Sequence, residues 1–251
     1  GISKKILSYH RIHTPEFEFE KDLNNVSRAM RDMEVKYPVV LDNDYGTWRA
    51  YQNSYWPRKY LIDIDGYIVY DHIGEGGYEE TEHTIQRLLA ERVVRLGGDA
   101  EVPGGFVDPA GIESVADRMP RTPEIYFGAW RNADYLANPK PGAGQQNFVA
   151  PEALETDALY LDGLWSVEQE YARGVVGSSI KLKYQAKKVF MVASSEKGVD
   201  MQVWVDGVFL KTIRVQADDL YRLVEDEEWG VHTLELIVGE GELDAFTFTF
   251  G

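Results

Sequence analysis

The sequence contains no cysteine among its 251 residues. This absence excludes disulfide bonds, thiolate metal sites and cysteine nucleophiles within the chain. Long apolar runs are also lacking, since no segment approaches the ~20 residues that a membrane-spanning helix needs. The sequence shows no signal-peptide pattern, and its first residue is Gly1 rather than methionine. We therefore expect a start that has been processed or engineered, with any export signal already removed.

Positive charge is scarce relative to negative charge. The chain has 26 Lys and Arg residues against 42 Asp and Glu residues, which gives a formal net charge of −16. Such a surface repels the phosphates of nucleic acids and of anionic membranes, so we expect no nucleic-acid partner.

The first third of the chain alternates short apolar segments with helical periodicity. Strands are predicted at residues 6–12, 37–41, 59–64 and 67–73, and helices at 22–34 and 78–96. Asp44 is predicted to cap a further short helix, because an aspartate accepts hydrogen bonds from the first free N–H groups. Asp65 and Gly66 are predicted to form a tight hairpin turn. This pattern predicts an α/β domain over residues 1–97.

The remainder of the chain has a different periodicity. Residues 98–121 are rich in proline and glycine and are predicted to form a linker. Apolar and polar residues then alternate with a period of two, and strands are predicted at residues 179–185, 188–193, 201–205, 208–215, 231–238 and 245–250. The last of these strands is predicted to bury a face of phenylalanines, while its other face carries only hydroxyl side chains. We predict an all-β jelly-roll or galactose-binding-like sandwich over residues 122–251.

Aromatic residues of the second half suggest a candidate sugar site. Exposed aromatic rings with nearby carboxylate or amide groups suit sugar hydroxyls, and the candidates are Trp130, Asn132, Trp165 and Glu168. Packing of the tryptophans in the core of the sandwich is the alternative interpretation.

Metal-binding patterns are weak. His10 and His13 lie near several glutamates, but this spacing specifies no metal site and is typical of a solvated loop. We therefore expect no metal, no cofactor and no catalytic residue within the chain.

Several motifs of the first half resemble one known family. They are His13-Thr14-Pro15-Glu16-Phe17-Glu18-Phe19-Glu20, Tyr37-Pro38-Val39-Val40-Leu41-Asp42-Asn43-Asp44, Tyr55-Trp56-Pro57-Arg58-Lys59-Tyr60-Leu61-Ile62-Asp63 and His72-Ile73-Gly74-Glu75-Gly76. These motifs resemble DipZ-type, TlpA-like thioredoxin-fold proteins. The second half is similar to the β domain that follows thioredoxin in these proteins, which itself resembles carbohydrate-binding modules. The resemblance spans nearly the whole chain.

The resemblance implies a function in thiol–disulfide exchange outside the cytoplasm. Pro57 corresponds to the cis-proline of the family, and the loop of Tyr55, Trp56 and Pro57 would bind an extended partner peptide. The expected partners are a thiol or disulfide protein and a membrane electron-transfer domain of a longer parent protein.

One feature of the family is missing from this sequence. In the family, a central strand and a helix with the Cys-x-x-Cys pair precede the strand that aligns with residues 6–12. The unpaired backbone of such a gap must be filled. The filling segment could belong to a longer parent chain, come from another subunit through oligomerisation across the unfilled sheet, or be replaced by rearrangement.

Two function classes follow from these observations. The first is a thioredoxin-like protein of a cell-envelope exchange system that is redox-inactive in this cysteine-free form, because disulfide exchange requires an attacking thiolate. The alternative is a non-catalytic binding module that recognises glycan or envelope polymer through the β-sandwich.

Overall fold

The structure is a computed structural model and describes residues 7–97, 102, 104–105, 122–138 and 142–251. The chain divides into two compact units, residues 1–114 and 115–251. This boundary falls within the predicted linker at residues 98–121. Most of that linker lies outside the described residues, so it stays a prediction.

The first unit is an α/β unit. Its strands are β1 (Arg11–His13), β2 (Val39–Leu41), β3 (Arg58–Ile62) and β4 (Ile68–Ile73), and its helices are α1 (Leu23–Asp32), α2 (Gly46–Ala50) and α3 (Tyr78–Arg95). A short 3₁₀ helix covers Glu18–Lys21. Helix α3 agrees with its predicted range to within one residue. The first strand lies later than predicted: residues 7–10 are not in a strand, and residue 6 lies outside the described part.

The strands of this unit form two separate pairs. Strands β1 and β2 are parallel, with Arg11 opposite Val39. Strands β3 and β4 are antiparallel, with Lys59 opposite His72. Within residues 7–97, no strand pairs with both β1 and β3. The described residues of this unit therefore contain two separate two-stranded sheets, and the family resemblance implies a central strand between β1 and β3.

The apolar side chains of the first unit are poorly covered. Pro15 and Phe17 are the two buried apolar side chains among the described residues of this unit. Strand residues that a complete sheet would normally bury are instead exposed, namely Ile12, Val40, Ile62, Ile68 and Ile73. Burial of such side chains is the main force that stabilises a sheet. This distribution is typical of a domain that lacks one of its packing elements.

The prediction that Asp44 caps helix α2 is wrong. The residue before the helix is Tyr45, in the left-handed region with a φ of 56°. The carboxylate that accepts the free N–H groups belongs to Asp42, whose two oxygens lie 2.8 Å from the nitrogens of Thr47 and Trp48. The turn at residues 42–45 brings the earlier aspartate over the helix start, and the sequence alone could not distinguish the two.

The second unit is almost entirely β. Its strands are β5 (Ile125–Tyr126), β6 (Leu136–Asn138), β7 (Gly144–Phe148), β8 (Leu159–Val167), β9 (Ala172–Val175), β10 (Ser179–Ser194), β11 (Val199–Val205), β12 (Val208–Val215), β13 (Asp219–Val238) and β14 (Glu242–Phe250). They pair in the order β12-β11-β13-β10-β14-β9-β8-β6, with β5 on β14, β7 on β8, and a further pairing of β10 with β8.

Strands β10 and β13 are longer than predicted. The two strands predicted at residues 179–185 and 188–193 form the single strand β10. Its register with β13 shifts between Ala186, opposite Gly230, and Lys188, opposite Glu225. Such an irregularity bends a long strand without ending it, which is why the sequence shows two segments. Strands β5 to β9 were not predicted, because their segments are short or carry glycine.

The core of the second unit is one cluster of buried side chains contributed by most of its strands. It includes the wholly buried side chains Leu161, Trp165, Tyr184, Met191, Leu236 and Phe248. The predicted aromatic face of the last strand is confirmed, since Phe246, Phe248 and Phe250 are all buried. The tight turn at Asp206 and Gly207 is also present, and both residues have positive φ angles, of 51° and 76°.

Candidate functional site

The loop between α2 and β3 forms the first candidate site. The peptide bond between Trp56 and Pro57 is cis, as the family resemblance predicts. The indole Nε1 of Trp56 donates a hydrogen bond to the carbonyl oxygen of Thr14, at 3.1 Å. The rings of Trp56 and Trp48 lie 4.2 Å apart between centroids. The loop is thus anchored to both the segment after β1 and helix α2.

The buried carboxylate of Asp42 supports this loop through Thr14. Asp42 accepts hydrogen bonds from the Thr14 hydroxyl and from two backbone N–H groups of helix α2. Burial raises the pKa of Asp42, but the hydrogen bonds from Thr47, Trp48 and Thr14 outweigh it and hold this pKa below its ordinary value. Asp42 therefore stays ionised and fixes Thr14, whose carbonyl in turn holds Trp56.

Two aromatic side chains of the loop face solvent. Tyr55 is 52% exposed and Trp56 is 45% exposed. The carbonyl oxygen of Pro57 accepts a hydrogen bond from Gly74, at 2.8 Å. A fixed backbone that presents exposed aromatic rings can bind an extended polypeptide. The assignment of Tyr55, Trp56 and Pro57 to partner-peptide binding stays a prediction.

Glu20, the last residue of the first motif, is a half-buried titratable group beside His13. Its carboxylate accepts a hydrogen bond from the backbone nitrogen of Glu16, at 2.7 Å, and its carbonyl oxygen lies 3.1 Å from Nε2 of His13. Burial raises the pKa of Glu20 above its ordinary value. A single glutamate in an acidic run carries no sequence signal of burial.

The four predicted sugar-site residues do not form one surface. Trp130 is 65% exposed, and the Glu168 carboxylate is also exposed and accepts a hydrogen bond from the Ser166 hydroxyl. Trp165 and Asn132 are wholly buried. The assignment of these two residues to sugar binding is therefore wrong, since a ring or amide without exposed surface cannot contact a sugar.

Both buried residues have clear structural roles. The Trp165 ring packs against Gly174, where an added Cβ would lie 2.6 Å from the indole, and its Nε1 donates to the carbonyl oxygen of Asp162. The Asn132 amide donates to the carbonyl oxygen of Phe127 at 3.0 Å and so closes the turn that carries Trp130. The core interpretation is therefore correct for Trp165.

Trp130 lies on a turn that is hydrogen-bonded to the loop between β8 and β9. The backbone nitrogens of Ala129 and Trp130 donate to the carbonyl oxygens of Glu168 and Gln169, at 2.8 and 3.0 Å. The exposed indole is thus held on a rigid backbone rather than on a loose loop.

The described residues show neither a cluster of metal ligands nor a helix that could span a membrane. No group of three or more His, Asp or Glu side chains that could hold a metal ion occurs in the described residues. None of the helices described is both long enough and apolar enough to cross a membrane.

Comparison with known families gives a clear match for the second unit. The family described as "Thioredoxin like C-terminal domain" matches residues 122–251, slightly more than half of the chain. The chain belongs to this family. Across both units it is similar to Protein DipZ of Mycobacterium tuberculosis and of Mycobacterium bovis, with 32% identity over 244 residues. That alignment covers 96% of this chain and 33% of DipZ, so the chain spans about a third of these relatives.

A further relative matches a smaller part of this chain. The thiol-disulfide oxidoreductase YkuV of Bacillus subtilis is 26% identical over 80 residues, which cover 32% of this chain and 54% of YkuV. Among solved structures, a carbohydrate esterase of Clostridium thermocellum is 26% identical, covering 33% of this chain and 27% of its own, with a TM-score of 0.31. A TM-score this low carries no argument about function.

Proposed function

We propose that this chain is part of a thioredoxin-like protein of a cell-envelope thiol–disulfide exchange system. The observation that carries the proposal is the anchored loop of Tyr55 and Trp56, which exposes two aromatic rings beside an incomplete sheet. The similarity to DipZ over 96% of the chain supports the same system. The loop forms one wall of a site for an extended partner polypeptide.

The redox half of the site is supplied from outside this sequence. The chain has no cysteine, and disulfide exchange requires a thiolate nucleophile. Strands β1 and β3 each pair with one neighbour, and the apolar side chains around them are exposed. We propose that a preceding strand and helix of a longer parent protein fill this gap. A second subunit that pairs across the unfilled sheet is the competing arrangement.

A disulfide-reductase assay tests this proposal. The cysteine-free chain is compared with the natural polypeptide that includes the genomic segment encoded before Gly1. We expect no insulin reduction by the chain alone and clear turnover by the longer polypeptide. Turnover by the cysteine-free chain, or a preceding segment without any cysteine pair, would contradict the proposal.

The location and partners belong to the same proposal. We infer an extracytoplasmic location, with a thiol or disulfide protein and a membrane electron-transfer domain as partners. Fractionation of cells that express the full natural protein tests the location. Recovery of the full natural protein only from the cytoplasmic fraction would contradict this location.

A second candidate function concerns the β unit, which we propose to be a jelly-roll, galactose-binding-like module for glycan or envelope polymer. The observation that favours it is the exposed Trp130 on a turn held by two backbone hydrogen bonds. An exposed indole on a fixed backbone suits stacking on a sugar ring, because little backbone freedom is lost on binding.

A glycan array probed with the chain tests this second function. We expect binding of at least one neutral glycan class, and loss of that binding in Trp130→Ala at unchanged thermal stability. Absence of binding to every glycan on the array would reject it, without any consequence for the disulfide-exchange proposal.

A further inference from the structure

The β unit presents an outward sheet face around Tyr126. In this part of the sheet, β13 (residues 219–225), β10 (residues 188–194), β14 and β5 lie side by side. Phe190 lies opposite both Arg222 and Thr249, and Tyr126 lies opposite Thr247. The adjacent residues Ile125, Met191 and Phe248 are wholly buried. Since successive side chains of a strand point to opposite faces, Tyr126, Phe190 and Thr249 point away from the core.

Polar groups at one edge of this face are fixed by contacts with one another. The Tyr126 hydroxyl donates to Oε2 of Glu124 at 2.9 Å. The Thr249 hydroxyl donates to the other carboxylate oxygen of Glu124 at 3.5 Å, the limit of a hydrogen bond. The Arg131 guanidinium lies 4.4 Å from the centre of the Tyr126 ring. Tyr126, Glu124, Thr249 and Arg131 thus form one connected surface, which we call the Tyr126 face. The exposed Trp130 precedes Arg131 in the chain.

The chemistry of the Tyr126 face selects a neutral ligand with adjacent hydroxyl groups. Arg131 offers only hydrogen-bond donors, and Glu124 offers only acceptors. A pair of neighbouring sugar hydroxyls can accept from the first and donate to the second. The two opposite charges cancel locally, and the chain as a whole has a net charge of −16, so a polyanion gains no electrostatic advantage here.

We propose that the Tyr126 face is the glycan-contact surface of the β unit and binds a neutral pyranose chain. Trp130 stacks on one sugar ring, while Glu124 and Arg131 hold a pair of its hydroxyls. Tyr126 and Thr249 are positioning residues, since they orient the Glu124 carboxylate and support the guanidinium. This inference rests on the second proposed function and names both the ligand class and the residues of its site.

Calorimetric titration of the full chain tests the proposal, with cellohexaose, mannohexaose and laminarihexaose as neutral probes and an oligogalacturonate as the acidic probe. We expect one or more neutral probes to bind and the acidic one to bind more weakly. Glu124→Gln and Arg131→Met should each weaken binding about tenfold, the effect of losing one good hydrogen bond. Glu235→Gln, a carboxylate change on β13 outside this face, should leave affinity unchanged.

Different outcomes reject the Tyr126 face and glycan binding by the β unit as a whole. If neutral glycans bind, and Trp130→Ala and Glu168→Gln weaken binding while Glu124→Gln and Arg131→Met do not, the Tyr126 face is rejected but glycan binding stands. Tighter binding of the oligogalacturonate also rejects the ligand class. If the wild-type chain binds none of the glycans, both the inference and the second proposed function are overturned. Thermal melting of each variant checks that the fold is intact.

Discussion

Individual side chains in this protein show that residue type alone does not define a role. Trp130 and Trp165 each follow a glycine by two positions, yet one is mostly exposed and the other is wholly buried. The difference comes from their neighbours. Trp130 lies on a turn that is fixed by backbone hydrogen bonds, while Trp165 on β8 lies directly opposite Gly174 on the neighbouring strand β9. Glycine at position 174 is required because the indole occupies the space of a side chain.

Substitution of Gly174 tests this close approach. In Gly174→Ala, the added methyl group would lie 2.6–2.9 Å from three atoms of the Trp165 ring. Overpacking of a filled core costs about 1–3 kcal/mol in the free energy of unfolding. Urea unfolding should show this loss. Gly251→Ala, where the methyl group would meet its nearest atoms at ordinary contact distances of 3.7–3.8 Å, should be close to wild type; equal stability of both variants would contradict the packing argument.

Asp42 gives a prediction about acid stability. Hydrogen bonds hold its folded-state pKa below the ordinary value of 3.8, so Asp42 binds a proton more readily in the unfolded chain. Its contribution is therefore fully present above about pH 4–5 and is lost as the pH falls through the folded-state pKa.

Unfolding of the first unit between pH 2 and 6 measures this effect. Asp42→Ala should lose about 1–2 kcal/mol near neutral pH, as expected for removal of a helix cap. The difference between variant and wild type should shrink toward pH 2. A difference that stays constant across this range would show that the carboxylate charge has no role.

At the scale of elements, the strength of the periodic pattern decided what could be predicted. Helix α3 and strand β14 have long, regular patterns, and both were located correctly. Strands β5 and β6 are two and three residues long and exist because neighbouring strands pair with them. Such elements have no periodicity of their own, so only the paired partner specifies them.

Strand β14 allows the alternation to be tested directly. Phe248 is wholly buried against Phe127, with ring centroids 5.2 Å apart, whereas Thr249 lies on the outward face. Phe248→Ala should cost about 3–5 kcal/mol in the free energy of unfolding of the β unit, because it leaves a cavity in the core. Thr249→Ala should change this free energy by less than about 0.5 kcal/mol. Comparable losses would indicate that the register of the strand is different.

At the scale of the whole molecule, the two units differ in how much apolar surface they bury. The second unit has a continuous core that runs through most of its strands. In the first unit, Pro15 and Phe17 are the two buried apolar side chains among the residues described. Because apolar burial supplies most of the stabilising free energy, the first unit should be only marginally stable by itself.

Calorimetry of the chain should therefore show two thermal transitions. We expect the first unit to unfold at the lower temperature and its amide protons in α3 to exchange rapidly in the native protein. Addition of the natural preceding segment, as part of the longer polypeptide, should raise the lower transition. A single cooperative transition with slow exchange in α3 would contradict this prediction.

The sequence by itself determined several properties of this protein. The lack of cysteine, the change from helical to two-residue periodicity and the motifs around Trp56 established the composition of the two halves and their family. These properties depend on residues close together in the chain, where local preferences act.

Only the tertiary structure decided which side chains are accessible and which groups meet. It placed Trp165 and Asn132 in the interior and assigned the helix cap to Asp42 rather than Asp44. It also joined Glu124 to Tyr126 and Thr249, and Tyr126 to Arg131. Thr249 lies 125 residues from Glu124 in the chain. Exposure and contacts of this kind depend on strand pairing between distant segments, and no local pattern in the sequence records that pairing.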